Sequence, residues 1–245
     1  MQHTVGQAVI PDGQMVYGVG DIHGRPDLLD RLLDRIVQDA AAAAPDAART
    51  LVYLGDYVDR GHDSKGVIDR LIAGPPDGFE QVCLLGNHEA WLLNFLDDAR
   101  AGAGWLMNGG AATLASYGVA ATYGARESGK LGAIRDAFIE ALPPAHLAFY
   151  EDLALFWRAG GYVFVHAGVR PGVALADQDP DDLIWIRDDF LTSGADFGAV
   201  VVHGHTIQDM PEVRANRIGV DTGAYVTGRL TAVALDGARR RFLHT

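Results

Sequence analysis

The chain has 245 residues, with 20 Lys and Arg against 32 Asp and Glu and a formal charge of −12. At 49% hydrophobic and 21% charged it has the balance of a folded protein, and its length suits one α/β domain of roughly 250 residues with a core that needs no disulfide. The acidic excess excludes broad binding to nucleic-acid backbone, the single cysteine, Cys83, excludes an internal disulfide or a thiolate zinc cage, and no apolar run reaches the ~18 residues of a membrane span.

Residues 15–20 read as a short buried strand, left by a loop at 21–24. From Asp27 onward Leu28, Leu29, Leu32, Leu33, Ile36 and Val37 fall at helical spacing and predict one apolar face, with Asp27, Asp30, Arg31, Asp34 and Arg35 turned outward. Residues 50–54 are a second strand, followed by a Gly- and Asp-rich loop and a helix near 64–73. Residues 81–85 are a third strand, again ending in a polar loop and a helical stretch at 89–96. Strand, loop and helix repeated in this way predict an α/β fold with neighbouring parallel strands. The Gly- and Ala-rich segment at about 99–150 is an insertion, with a helix near 134–142 ended by Pro143 and Pro144. Strands follow at 153–157, 162–165, 200–203, 217–220 and 230–235, which predicts a second sheet packed on the first. The whole chain, 1–245, is read as one domain carrying that insertion.

Residues able to bind metal recur where these strands end. Asp21 and His23 follow the first, Asp56 the second, and Asn87 and His88 the third; His166 and His205 follow two later strands. A lone Asp after a strand is usually a turn former, and a lone buried His is usually a hydrogen-bonded core residue. Five such loops are hard to explain as unrelated turns, because open α/β sheets gather their ligands outside the carboxyl ends of strands. Mixed nitrogen and oxygen donors without thiolates suit manganese, iron or zinc.

In order along the chain, GDIHG (20–24), GDYVDRG (55–61), GNHE (86–89), HAG (166–168) and HGHT (203–206) resemble the motifs of the metal-dependent phosphoprotein phosphatases, within the calcineurin-like metallophosphoesterases, and above all their small bacterial and phage members. The resemblance runs from about residue 15 to the C-terminus. It implies two mixed β-sheets packed as a central sandwich flanked by helices, around two divalent metal ions, manganese first and iron or zinc as alternatives. Asp21 and His23 would hold one metal, Asp56 would bridge both, and Asn87, His166 and His205 would complete the second. A hydroxide bridging the metals would attack phosphorus directly, without a phosphoenzyme. His88 would protonate the leaving alkoxide, oriented by Asp59, while Arg60, Arg187 and Asn87 would bind the phosphoryl oxygens. Taken residue by residue, Arg187 could instead be a surface group paired with Asp188, and Asn108, in a segment that looks family-like, could equally be a turn residue.

The implied function is a serine/threonine phosphoprotein phosphatase acting on phosphoproteins or small phosphoesters, cytoplasmic and without membrane or nucleic-acid-backbone partners; the N-terminus shows no basic, apolar and small-residue leader. A symmetrical diadenosine tetraphosphate hydrolase is the alternative, disfavoured by Asp59 and Glu89, because those relatives lack the first acid and carry GNHD. An inactive phosphate-binding scaffold is disfavoured by the intact residue set. His62 replaces the proline usual after DRG, and His203, two residues before His205, is assigned to the surroundings of the metal rather than to it. Residues 124–131 nearly match a P-loop but end in Leu131 where a hydroxyl is needed. Cys83, in an apolar strand without a following arginine at phosphatase spacing, is read as packing, and His3, His62, His146 and His244 carry no supporting pattern.

Overall fold

A computed structural model describes residue 4 and residues 6–121 and 128–245. Strand β1 (Gln14–Val19) is buried along nearly its whole length, because one face meets helices and the other a second sheet. Helix α1 (Pro26–Ala43) opens on a proline at its first turn, where the missing N–H costs nothing, and buries Leu28, Leu29, Leu32, Leu33, Ile36 and Ala40. Val37, predicted in that stripe, is exposed and Ala40 takes its place. At about 100° per residue Val37 lies roughly 100° from the centre of the buried arc. The pattern repeats through β2 (Ala48–Tyr53), α2 (Ser64–Ile72), β3 (Phe79–Cys83) and α3 (Asn87–Asp97), and β1, β2 and β3 run parallel side by side as predicted.

The 99–150 segment is mostly helical: a 3₁₀ turn (Ala99–Ala101), α4 (Gly102–Trp105), a π turn (Leu106–Gly110), α5 (Ala111–Ser116), α6 (Ser128–Ala141) and α7 (Pro144–Glu151). The predicted helix begins earlier than read, and Pro144 starts a further helix rather than only stopping one. Trp105, Leu114 and Phe138 join Leu92 and Phe95 of α3 in a single apolar cluster. Of the P-loop-like stretch, 124–127 lie outside the described residues, as does His3, while Leu131 is buried in α6.

The second sheet holds β4 (Phe156–Ala159), β5 (Tyr162–Val165), β6 (Val200–His203), β7 (Glu212–Val213) and β8 (Arg217–Gly219), in the order β4-β5-β6-β8-β7. The short helices α8 (Pro180–Trp185) and α9 (Asp188–Leu191) cover its outer face, and α10 (Ala224–Thr227) follows β8. The last strands, β9 (Thr231–Asp236) and β10 (Arg239–His244), return to the first sheet, whose order is β10-β9-β1-β2-β3, so the predicted 230–235 strand belongs there and not to the second sheet. Between the sheets Val16, Val52 and Leu54 pack on Phe164, Val202 and Val220. At Gly18 a Cβ would stand 3.1 Å from Phe164 and 3.2 Å from Val202, so glycine lets the sheets approach there. The result is two mixed five-stranded sheets flanked by helices. Among the described residues no helix is long and apolar enough to cross a membrane.

Candidate metal centre

The loops leaving β1, β2, β3, β5 and β6 meet at one end of the sandwich. The first two are zipped by Ile22 N and His23 N, which donate to Asp56 O at 3.1 and 2.8 Å, and by Gly24 N to Tyr57 O at 2.8 Å. The last two are joined by Gly204 N to His166 O at 2.8 Å. Among the described residues the non-glycine positions with positive φ are His23, Asp56, Asp59, Arg60 and His205. All five are predicted site residues, and each such backbone costs on the order of 1–3 kcal/mol that the surrounding bonds must hold in place. Gly61 serves this loop directly, since a Cβ there would fall 2.0 Å from His23 O.

Glu89 is the clamp. Its buried carboxylate accepts from Asp56 N (2.9 Å) and Gly86 N (3.1 Å) on one oxygen and from Tyr57 N (2.8 Å) and Val58 N (3.2 Å) on the other. The first turn of α3 therefore fixes the backbone of the loop after β2.

The imidazoles are arranged as ligands. His23 Nδ1 donates to Val58 O at 2.7 Å and His166 Nδ1 to Leu54 O at 2.8 Å, which leaves each ring a lone pair on Nε2. Burial keeps the rings neutral, lowering His23 to about 3, His205 to about 2, and His166 below its usual value. Those lone pairs face other acceptors. His23 Nε2 is 3.4 Å from Asp56 Oδ2, while His166 Nε2 is 3.4 Å from Asp56 Oδ1 and 2.9 Å from Asn87 Oδ1. His205 Nε2 is buried without a hydrogen-bond partner. Apart from the Arg60 guanidinium, which reaches His23 Nε2, these are acceptors converging with no proton between them, which a cation satisfies, and the nitrogen and oxygen set suits a divalent first-row ion. Asp56 presents one oxygen to each side and belongs to both compact ligand groups, His23–Asp56–His88 and Asp56–His166–His205, whose donor atoms lie within 4.8 Å of one another.

Asp21 is in neither group. Its carboxylate accepts from His205 N at 3.1 and 3.2 Å, and burial, Asp221 and Asp56 push it well above the usual carboxylate range. Asp221, itself raised to about 6 chiefly by burial, directly follows Val220, the last residue of the predicted 217–220 strand. It was readable by the same strand-end rule and is absent from the predicted set. His88 stands in the first group in place of Asp21, with Nε2 3.8 Å from Asp56 Oδ2. Its other nitrogen is 2.6 Å from Asp59 Oδ2. Burial lowers its basicity, but Asp56 and Asp59 outweigh that and hold the pKa above 6.5. An imidazole anchored on Asp59 and made more basic by its two carboxylate neighbours suits a proton donor better than a ligand.

Asp59 is fully buried and also accepts from Trp105 Nε1 at 2.8 Å and Thr113 Oγ1 at 2.6 Å. Burial pushes its carboxyl up and these hydrogen bonds pull against it. Arg60 reaches His23 Nε2 at 3.2 Å and lies over the Tyr225 ring at 5.0 Å. Arg187 donates to Thr206 Oγ1 at 3.2 Å and its charge adds to the lowering of His205 and His166, which places it at the site rather than with Asp188. Asn108 is exposed and donates to Gly104 O at 2.9 Å, the turn role. His203 packs against Phe190 and is in neither ligand group, and His62 is exposed. Cys83 is half-buried, its thiol pushed up to about 12 by burial, which suits packing and not attack.

The model of the calcineurin-like phosphoesterase family matches residues 15–230. A serine/threonine-protein phosphatase 2 from Salmonella typhimurium is 29% identical over 227 residues, 88% of this chain and 90% of the relative. An asymmetrical bis(5'-nucleosyl)-tetraphosphatase from Anoxybacillus flavithermus is also 29% identical, over 240 residues, 89% of this chain and 90% of the relative. Among solved structures, that of a candidate diadenosine tetraphosphatase superposes with a TM-score of 0.62 at 22% identity, covering 97% of this chain and 98% of that one.

Proposed function

Because the chain belongs to the calcineurin-like phosphoesterase family, we propose that it is a phosphoprotein phosphatase of the serine/threonine type that hydrolyses phosphomonoesters with two divalent metal ions, manganese first. The observation that carries this reading is the His88–Asp59 pair at 2.6 Å beside the Asp56-centred ligand groups. A monoester of serine or threonine leaves as an alkoxide and needs a proton, so an oriented acid is the part such a substrate demands.

His23, Asp56 and Asp21 would hold one ion, and Asn87, His166 and His205, with Asp56 shared, the other. When bound, such ions supply an activated water and positive charge at the phosphoryl oxygens. The chain's own residues do the rest. Arg60 and Arg187 turn guanidinium forks toward the phosphoryl oxygens, and Asn87 lends its amide to the same pocket. His88 keeps Nδ1 on Asp59 and gives its Nε2 proton to the leaving oxygen. Trp105 and Thr113 stop Asp59 from rotating away.

The tetraphosphatase name of a relative as similar as the phosphatase supports a second reading, hydrolysis of a dinucleoside tetraphosphate. Metal-stripped protein reloaded with Mn²⁺ and offered a phosphoserine peptide, a phosphotyrosine peptide and diadenosine tetraphosphate in parallel separates the two. The phosphatase reading expects kcat/KM on at least one peptide to exceed that on the dinucleotide. Rapid cleavage of the dinucleotide alone sinks it and leaves the metal site standing.

A further inference from the structure

Arg60 carries its proposed phosphate-binding role from an exposed side chain on a backbone of positive φ, 65°. The loop fixes where that side chain starts and leaves its long stem free to swing. Among the described residues no carboxylate forms an ion pair with it. Its guanidinium has one hydrogen bond, Nη1 to His23 Nε2 at 3.2 Å, and one ring beneath it, that of Tyr225 at 5.0 Å. A ring nitrogen that ligates a metal has no lone pair left for a guanidinium, so in the proposed ligand set the first contact lapses. The Tyr225 ring is what remains.

That ring is firmly placed. Tyr225 is half-buried in α10, a single turn with Gly223 and Gly228 in the left-handed region at its two ends. Ala224 O accepts from Arg25 Nη1 at 3.3 Å, which ties the turn to the loop after β1, and Thr227 Oγ1 closes it on Thr222 O at 2.8 Å. The ring meets His23 edge-on, at 5.3 Å and 82°. Its hydroxyl makes no hydrogen bond among the described residues, so the aromatic face is the part in use. A carboxylate could hold the guanidinium as well, but it would occupy two of the five N–H donors and offset the charge. An aromatic face attracts the cation through its quadrupole and takes none of the donors. An arginine already held also loses less rotamer freedom when a ligand fixes it.

We propose that Tyr225 is a positioning residue: its ring holds the Arg60 guanidinium at the metal centre with the N–H groups free for phosphoryl oxygens. This rests on the phosphomonoesterase reading above and deepens it, by naming what keeps the phosphate-binding arginine in place.

Mn²⁺-loaded protein titrated with inorganic phosphate in a calorimeter tests this, with KM and kcat on nitrophenyl phosphate measured beside it. Tyr225→Leu should weaken phosphate about 2- to 30-fold and raise KM by a similar factor, moving kcat less. Tyr225→Phe should largely restore both, because it keeps the ring. In an Arg60→Ala background, Tyr225→Leu should add no more than about a twofold further loss. Mn²⁺ affinity should be the same in Tyr225→Leu as in the wild type. Unchanged phosphate affinity in Tyr225→Leu overturns the proposal, and so does a loss that Tyr225→Phe shares, which would assign the effect to the hydroxyl. Equal losses with and without Arg60 overturn it as well, as does a parallel loss of Mn²⁺ affinity, which would mean that the ring acts through His23. A wild type that binds no phosphate overturns it too. Loaded wild type that binds phosphate but turns over no monoester sinks the phosphatase reading instead, and the calorimetric comparison then decides the role of Tyr225 independently.

Discussion

His88 and Asp59 sit 2.6 Å apart with both side chains almost wholly out of water, where a charge-assisted hydrogen bond is strong and its loss leaves a buried group unsatisfied. If that pair is the proton source, its value depends on the leaving group. An alkoxide cannot leave without the proton, whereas nitrophenolate leaves unaided. His88→Asn should therefore lower kcat on an alkyl phosphate by about 10²–10⁴ and that on nitrophenyl phosphate by far less. Asp59→Asn should follow the same pattern more weakly, because it misaligns the ring without removing it. Steady-state rates on the two esters check this, and equal losses on both would remove His88 as the acid. At this scale the candidate site was largely legible, because the residues proposed as ligands and acid lie in short contiguous motifs at the ends of apolar strands. Glu89 shows the limit: its place in a motif was visible, but four backbone amides converging on one carboxylate is a fact of three dimensions.

The 99–150 segment looked like an uncoded insertion because its contribution is made across long stretches of chain. Trp105 and Thr113 reach Asp59 from 46 and 54 residues away, and no local spacing announces such a bond. Replacing Trp105 with Phe keeps a ring against Phe95 and Phe138 while removing the N–H. Leaving a buried carboxylate short of one donor costs about 1–3 kcal/mol, so kcat on alkyl esters should fall about tenfold or more. Mn²⁺ affinity by calorimetry should change little, since Trp105 touches no ligand; a parallel fall in affinity would mean that it acts through general packing. Other misread elements have equally local causes. Pro143 and Pro144 were read as a stop, yet proline also suits a helix's first turn and opens α7. The 153–157 strand starts later, because Ala154 is spent on an isolated bridge to Leu84 before β4 begins at Phe156. β10 escaped notice because it is an edge strand of sequence RRRFLH, and charge on an edge hides the alternation that marks inner strands while guarding it from pairing with another chain.

Across the whole molecule the proposed ligands are divided between the two sheets: Asp21, His23, Asp56 and Asn87 follow strands of the first, His166 and His205 strands of the second. An ion held jointly by Asp56, His166 and His205 would tie the sheets at the one end where the apolar interface gives way to buried carboxylates. The net charge of −12 says nothing of this, because the partner it disfavours, nucleic-acid backbone, is judged on the whole surface, whereas a phosphoryl group at the proposed site would meet Arg60, Arg187 and the ions within a Debye length of about 10 Å. Reading residues 1–245 as one domain with an insertion predicts a single unfolding transition, with or without metal. An ion that binds only the folded chain adds about 2.7 kcal/mol when present at a hundred times its Kd, roughly 5–10 °C in Tm for a domain of this size. Calorimetry of chelated and Mn²⁺-loaded protein should show that shift, and His166→Ala should abolish most of it. Two separate transitions, with only one responding to metal, would show that the sheets unfold independently and that the ion does not join them. One transition with no shift would deny the site its ion.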